Sequence, residues 1–317
     1  MEAMKRSIDH QPADLESFTR HLLELDRSAL PPNTDRSKII FTGAGDSYST
    51  AHFASEMSRG LSLAIDPYEL FKKPQVAKGR LVVIVSATGK TKTNIALAKK
   101  INRFSTTLGI TASLGSPLAR ACRQNIRLHF TPDSVLTSGT TSYTSSLVAV
   151  AYLLGNLPRR GLADTSNCLE KAWAWAETTM NKYPSVRGLS FVGSGLDYSL
   201  GLYGALKFNE VLGLSATVVH PEQFAHAFLF SIQKHDLTIF LDPERDQRTC
   251  EVCNASREIG LRTLELSSNT DEPVGLSIEI AFRLQCLAYA LAKRLGRREC
   301  AFIIDRRRLA ASSQLIY

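Results

Sequence analysis

Three hydroxyls, a glycine and a lysine fall within six residues at Ser86-Ala87-Thr88-Gly89-Lys90-Thr91, between an apolar run (81–85) and a helix-like stretch (91–104). A phosphate monoester asks for that set: O–H donors, backbone N–H groups at a helix start, and a cation. A second turn, Gly43-Ala44-Gly45-Asp46-Ser47, follows the apolar run 38–41. Its glycines let the backbone bend sharply beneath an anion. In an open parallel sheet both turns reach the carboxyl edge, where ligands bind, and two converging anion turns are more specific than one.

The glycine turn is written twice. Phe41-Thr-Gly-Ala-Gly-Asp-Ser-Tyr-Ser49 returns 150 residues later as Phe191-Val-Gly-Ser-Gly-Leu-Asp-Tyr-Ser199, which predicts two related α/β units. The copies differ at the other turn. Residues 237–241 run into Asp242-Pro-Glu-Arg-Asp246, and three carboxylates within five residues repel a phosphate, so only the first unit is expected to hold one. A dinucleotide site is the competing reading, with Asp66 or Glu69 as the ribose acid. Tyr48 stands where its third glycine belongs, and it leaves the hydroxyl-rich turn unexplained.

Positioning these turns requires an alternating fold. Strands are predicted at 39–42, 63–66, 81–85, 107–111 and 126–130, with helices at 49–58, 91–104, 116–123 and 142–154. An amphipathic segment at 12–26 and a turn at Pro31-Pro32-Asn33 precede them. Pro158-Arg-Arg-Gly161 breaks the pattern, and 166–182 forms a connecting helix whose Trp173 and Trp175 are expected to pack at the domain junction. The second unit repeats the order: strands at 189–192, 217–220, 237–241 and 263–266, and helices at 198–212 and 276–295. The fold class is therefore α/β, two tandem units of flavodoxin-like or Rossmann-like kind, each a parallel β-sheet flanked by α-helices. The segments are 1–36 (N-terminal helical), 37–157 (phosphate-binding), 158–185 (linker helix), 186–304 (second unit) and 305–317 (tail).

Composition narrows the function classes. With 317 residues, 44% hydrophobic and 21% charged, the chain builds a sizeable core. No run approaches roughly 18 uninterrupted apolar residues, and Met1-Glu-Ala-Met-Lys-Arg6 lacks the apolar core of a signal peptide, so the expected address is cytoplasmic, with no membrane partner. Six dispersed cysteines, with Cys250-Glu-Val-Cys253 the one close pair, read as structural thiols. A net charge of +8 favours anionic partners. Without a recognisable nucleic-acid module or aromatics among the basic residues, a phosphorylated metabolite is expected, not nucleic acid.

These residues resemble the sugar isomerase (SIS) family, and within it the isomerase half of glucosamine-6-phosphate synthases. Gly45-Asp-Ser-Tyr48 is similar to the family's Gly-Thr-Ser-Tyr turn, and Ser86-Ala-Thr-Gly-Lys-Thr91 to its Ser-Gln-Ser-Gly-Glu-Thr turn. The resemblance extends from Ile8-Asp-His-Gln-Pro12 through Ser138-Gly-Thr-Thr-Ser-Tyr-Thr-Ser-Ser146 to Gly204-Ala-Leu-Lys-Phe-Asn-Glu210 and Glu222-Gln-Phe-Ala-His226. It implies that Ser47, Ser86, Thr88 and Thr91, with the backbone of Ala87, hold a sugar phosphate. Gly45, Asp46, Ser138 and Gly139 complete the pocket. Glu210 becomes the base that moves a proton between C1 and C2, and Lys207, one turn earlier, shares its face. His226 assists ring opening, reaching the site from a neighbouring subunit in a homodimer. Picked without the motif, the same residues read as a surface Glu–Lys pair and a core histidine.

Departures from the family shape the expected reaction. No amidotransferase segment stands ahead of residue 1, so glutamine is not expected as the ammonia source. Ala311 replaces the lysine that forms a Schiff base with the ketose, and Lys90 replaces the acid of the phosphate turn. The first reading is deamination of glucosamine 6-phosphate to fructose 6-phosphate and ammonia. Its alternatives are plain aldose–ketose isomerisation of a hexose 6-phosphate, deglycation, and a non-catalytic sugar-phosphate sensor. No cofactor and no metal are implied.

Overall fold

The computed structural model describes residues 1–25, 35–132, 135–160, 162, 164–183 and 185–317. The anticipated Pro31-Pro32-Asn33 turn, Asp26 and Gly161 lie outside them. The chain divides into two compact units, each built on one parallel sheet.

The first unit gathers residues 10–132, 139–163 and 306–317. Its elements are the greater part of α1 (Glu2–Glu24), then β1 (Ile39–Gly43), α2 (Asp46–Met57), β2 (Leu63–Ala64), α3 (Pro67–Lys72), β3 (Leu81–Val85), α4 (Lys92–Ile101), β4 (Thr106–Thr111), α5 (Pro117–Ala121), β5 (Gln124–Arg127) and α6 (Thr141–Leu153). The strands order β2-β1-β3-β4-β5, all parallel. Every residue of β1 and β3 is buried, because helices cover both faces of a parallel sheet. On one face Ile40, Val82 and Ile84 pack with Leu70, Leu97, Ile101 and Leu118.

The second unit gathers residues 1–9, 133–138 and 164–305. It contains α7 (Thr165–Lys182), β6 (Gly188–Val192), α8 (Leu196–Leu212), β7 (Ser215–Val219), α9 (Pro221–His226), β8 (Leu237–Leu241), α10 (Gln247–Glu258), β9 (Thr263–Leu266), α11 (Pro273–Arg294) and α12 (Ala301–Ile304), and α13 (Arg306–Ile316) returns to the first unit. The order β7-β6-β8-β9 repeats the first four positions of the other sheet. Gly201 and Gly204 let α8 close on β6, since a Cβ at either would press on Phe191. In both sheets the second strand lies on one side of the first and the third on the other, so the crevice where α/β sheets bind ligands falls between the first and third strands.

Several elements differ from the expectations. The N-terminal helix starts at Glu2, not near residue 12, because Pro12 lies inside a continuous buried stripe of Met4, Ile8, Leu15, Phe18 and Leu22. β2 ends at Ala64, since Asp66 instead caps α3, accepting from the N–H groups of Tyr68 and Glu69 at 2.8 and 3.1 Å. β5 pairs from Gln124 opposite Leu108, two residues ahead of the anticipated start. Trp173 and Trp175 both pack within the second unit: Trp173 Nε1 donates to Asp9 at 3.1 Å and meets the Tyr289 ring edge-on, while the Arg283 guanidinium lies over Trp175. Among the described residues α11 is long and apolar enough to cross a membrane, and 89% of that stretch is buried in the fold.

Candidate functional site

Two sets of side chains carry the candidate chemistry, one in each unit. In the first unit, Gly43 ends β1 pressed between α2 and β3: a Cβ there would lie 2.6 Å from Ser47 Cβ and 2.8 Å from the Val85 carbonyl. The glycine thus brings Ser47 beside the start of the Ser86–Thr91 turn. Gly45, at φ 61° and ψ −130°, opens α2 with no side-chain cap. Ser86 and Thr91 hydroxyls stand 3.4 Å apart across the second turn. Thr91 is the N-cap of α4, yet its side chain makes no cap bond, so the helix start keeps its positive end for an outside acceptor.

The turn is held rigid from below. The Ala87 carbonyl accepts from Ala112 N–H at 3.0 Å and Thr111 Oγ1 at 3.2 Å. Gly89, at φ +63°, leaves no room for a side chain, since a Cβ would fall 2.2 Å from Ser116 Oγ. Thr88 and Lys90 are exposed, and the Lys90 N–H donates to Thr88 Oγ1 at 3.3 Å. Asp46 begins α2 with its Oδ2 3.1 Å from where a Cβ on Gly139 would lie, so a residue larger than glycine crowds it. α13 is tied to this region by Lys92 Nζ, which donates to the Gln314 carbonyl at 2.7 Å. Ala311 lies exposed on α13.

The second unit repeats this frame with carboxylates in place of hydroxyls. Gly195 matches Gly45 at φ 57° and ψ −127°, and Gly193 presses on Asp197 and Leu241 as Gly43 presses on Ser47 and Val85. Asp197 therefore stands for Ser47, Asp242 for Ser86 and Asp246 for Thr91. Asp246 caps α10, accepting from Thr249 N–H at 3.0 Å, so this helix start takes its own side chain as the anion. Arg245 fills the centre, with Nε 2.9 Å from Asp242 Oδ2 and Nη2 3.0 Å from Asp271 Oδ1. Burial, then the nearby Asp242, pushes the Asp197 carboxyl up to about 7.

Elsewhere in the second unit, α8 places Tyr203, Lys207 and Glu210 along one face. Lys207 is fully buried. Its Nζ donates to Glu210 Oε2 at 2.6 Å and to Ser138 Oγ at 2.8 Å, and lies 5.3 Å above the Tyr203 ring. Ser138 Oγ in turn donates to Glu210 Oε2 at 2.7 Å. Gln285 Nε2 donates to the Tyr203 hydroxyl at 2.8 Å and steadies the ring. A carboxylate bonded to a buried ammonium, with a side chain still 39% exposed, has the chemistry to take a proton from carbon and return it.

His226 stands apart from this cluster. It closes α9 with a side chain 72% exposed, and its Nε2 lies 3.7 Å from Glu222 Oε1. Cys250 and Cys253 both sit on α10 as free thiols. The close bonding of Ser138 to Lys207 and Glu210 escaped sequence reasoning, because 69 and 72 residues separate it from them.

Comparison with known proteins agrees with this fold. The SIS domain family model matches residues 34–154 and 185–286. Glutamine–fructose-6-phosphate aminotransferase (isomerizing) of Oceanobacillus iheyensis is 24% identical over 272 residues, covering 77% of this chain and 45% of its own length. The chain thus spans about half the length of the curated relatives it matches. Among solved structures, a glucosamine-6-phosphate deaminase from Thermotoga maritima superposes with a TM-score of 0.75 at 19% identity, covering 93% of this chain and 95% of its own. The C-terminal domain of the glucosamine-fructose-6-phosphate aminotransferase from Francisella tularensis gives 0.74 at 18% identity, covering 94% and 97%. With its pair of parallel sheets, the chain belongs to the SIS domain family.

Proposed function

We propose that the protein is a phosphosugar isomerase and deaminase acting on a hexose or 2-amino-hexose 6-phosphate, chiefly converting glucosamine 6-phosphate and water to fructose 6-phosphate and ammonia. The carrying observation is the Glu210 carboxylate bonded to buried Lys207 and to Ser138. Glu210 takes the C2 proton of the open-chain aminosugar and returns it at C1, so the aldehyde and amine become an alcohol and a C2 imine. Water then hydrolyses the imine to the ketone and releases ammonia. Ser47, Ser86, Thr88 and Thr91, with backbone of Ala87, hold the phosphate, and Lys90 adds a cation. Gly45, Asp46 and Gly139 line the sugar's path.

His226 assists ring opening from a second copy of the chain in a homodimer. Its exposure supports that role, because the side chain is available to a neighbour. A cytoplasmic address goes with a soluble metabolite of this kind.

The test incubates the purified protein with glucosamine 6-phosphate and assays ammonia and fructose 6-phosphate together. Equal release of both is the expected result. No ammonia, with glucose 6-phosphate and fructose 6-phosphate interconverting in parallel, replaces deamination by plain isomerisation. Inertness in both assays with measurable sugar-phosphate binding overturns the enzyme reading in favour of a sensor. Mixing inactive Glu210→Gln with inactive His226→Ala should restore activity if the histidine crosses between subunits; a mixture that stays inert rejects sharing.

A further inference from the structure

We propose that Ser138 is a positioning residue: together with Lys207 it pins Glu210 Oε2, so that Oε1 is the oxygen presented to the reacting carbon. The inference rests on the reading of Glu210 as the base. A serine hydroxyl has one proton and two lone pairs. In Ser138 the proton goes to Glu210 Oε2 at 2.7 Å and one lone pair accepts from Lys207 Nζ at 2.8 Å, while the residue itself is 1% exposed. A hydroxyl so committed and so buried is poorly placed to bind a substrate oxygen, which is the role the sequence suggested for it.

The three atoms close a triangle, since Lys207 Nζ also reaches Oε2 at 2.6 Å. A carboxylate held by a single ammonium still swings about its Cγ–Cδ bond. A second donor arriving from a different segment fixes its plane. Both donors fall on the same oxygen, and among the described residues no hydrogen bond is made by Oε1. Proton transfer between adjacent carbons depends on such alignment, because the base must reach both carbons from one position. Ser138 contributes that alignment from 72 residues away in sequence.

The test compares wild type, Ser138→Ala and Ser138→Thr with glucosamine 6-phosphate, alongside the carboxyl 13C resonance of Glu210 at one fixed pH, assigned by its loss in Glu210→Gln. Ser138→Ala should lower kcat roughly 10- to 100-fold, the range for a hydrogen bond to a charged group, with KM within about twofold. It should also move the Glu210 resonance. Ser138→Thr, which keeps the hydroxyl, should restore both. A raised KM with kcat preserved would make Ser138 a substrate ligand and overturn the proposal. If Ser138→Ala does not fold, Ser138→Cys, a weaker donor of similar size, is read by the same two measurements. The resonance needs no substrate: if it is unmoved in the variant the proposal falls, whatever the enzyme acts on. Absence of turnover in the wild type, with the resonance moved, instead defeats the proposed reaction and keeps the clamp.

Discussion

Ser47 and Asp197 occupy the same point in two copies of one turn, each four residues after a glycine whose missing side chain lets the helix start press on the sheet. The serine follows Gly45, an N-cap that makes no side-chain bond. The carboxyl is buried beside Asp242 and titrates at about 7. Because this lies above the ordinary 3.8, the folded chain keeps between about pH 4 and 7 a proton that the unfolded chain releases. Stability contributed by that proton is fully present below pH 4 and is lost as pH rises through 7. Asp197→Asn should therefore match wild type below about pH 4 and exceed it by about 1–3 kcal/mol at pH 8, allowing for partial exposure. Urea midpoints at the two pH values check this, and a gain of equal size at both would reject it.

Thr91→Asp should give opposite signs in two measurements. The new carboxylate would cap α4 as Asp246 caps α10, raising stability by about 0.5–1 kcal/mol. It would also occupy the place of the phosphate, so calorimetry with glucosamine 6-phosphate should show at least about tenfold weaker binding, from like-charge repulsion. Unchanged affinity would remove this turn from the phosphate site.

Gly89→Ala and Gly45→Ala separate steric crowding from backbone strain. Both glycines have positive φ, but a Cβ on Gly45 meets nothing within 4 Å whereas one on Gly89 strikes Ser116. Gly45→Ala should cost about 1–3 kcal/mol through strain alone, and Gly89→Ala distinctly more. Thermal unfolding ranks them; the reverse order would contradict the packing described for the turn.

Removing one partner from the Lys207–Glu210 pair leaves a buried ammonium. Glu210→Gln should lose activity and about 1–3 kcal/mol of stability, less than for a wholly buried pair because Glu210 is 39% exposed. Adding Lys207→Met should recover part of that stability and none of the activity. A double-mutant cycle with no coupling would show that the pair contributes nothing to folding.

The parts legible in the sequence are those whose signal is local. β1, β3 and β8 were visible because strands buried on both faces read as continuous apolar runs. The two turns were visible because their hydroxyls and glycines are contiguous, and Lys207 and Glu210 because three residues make one helical face. The start of α1 was hidden by Pro12, which reads as a first-turn residue although the apolar stripe continues through it. α3 was hidden because Asp66, its N-cap, reads as the end of a strand. The Ser138 clamp and the titration of Asp197 depend on partners brought together by folding, which no short window contains.

A turn present in two copies of which one keeps its hydroxyls leaves the chain with a spare. Ser47, Ser86 and Thr91 form the proposed cradle, whereas Asp197, Asp242 and Asp246 are tied to one another, to Arg245 and to the start of α10. Descent from a common ancestor should then be lopsided: the first triplet frozen if it holds the proposed phosphate, the second free to drift as a set, one charge compensating for the next.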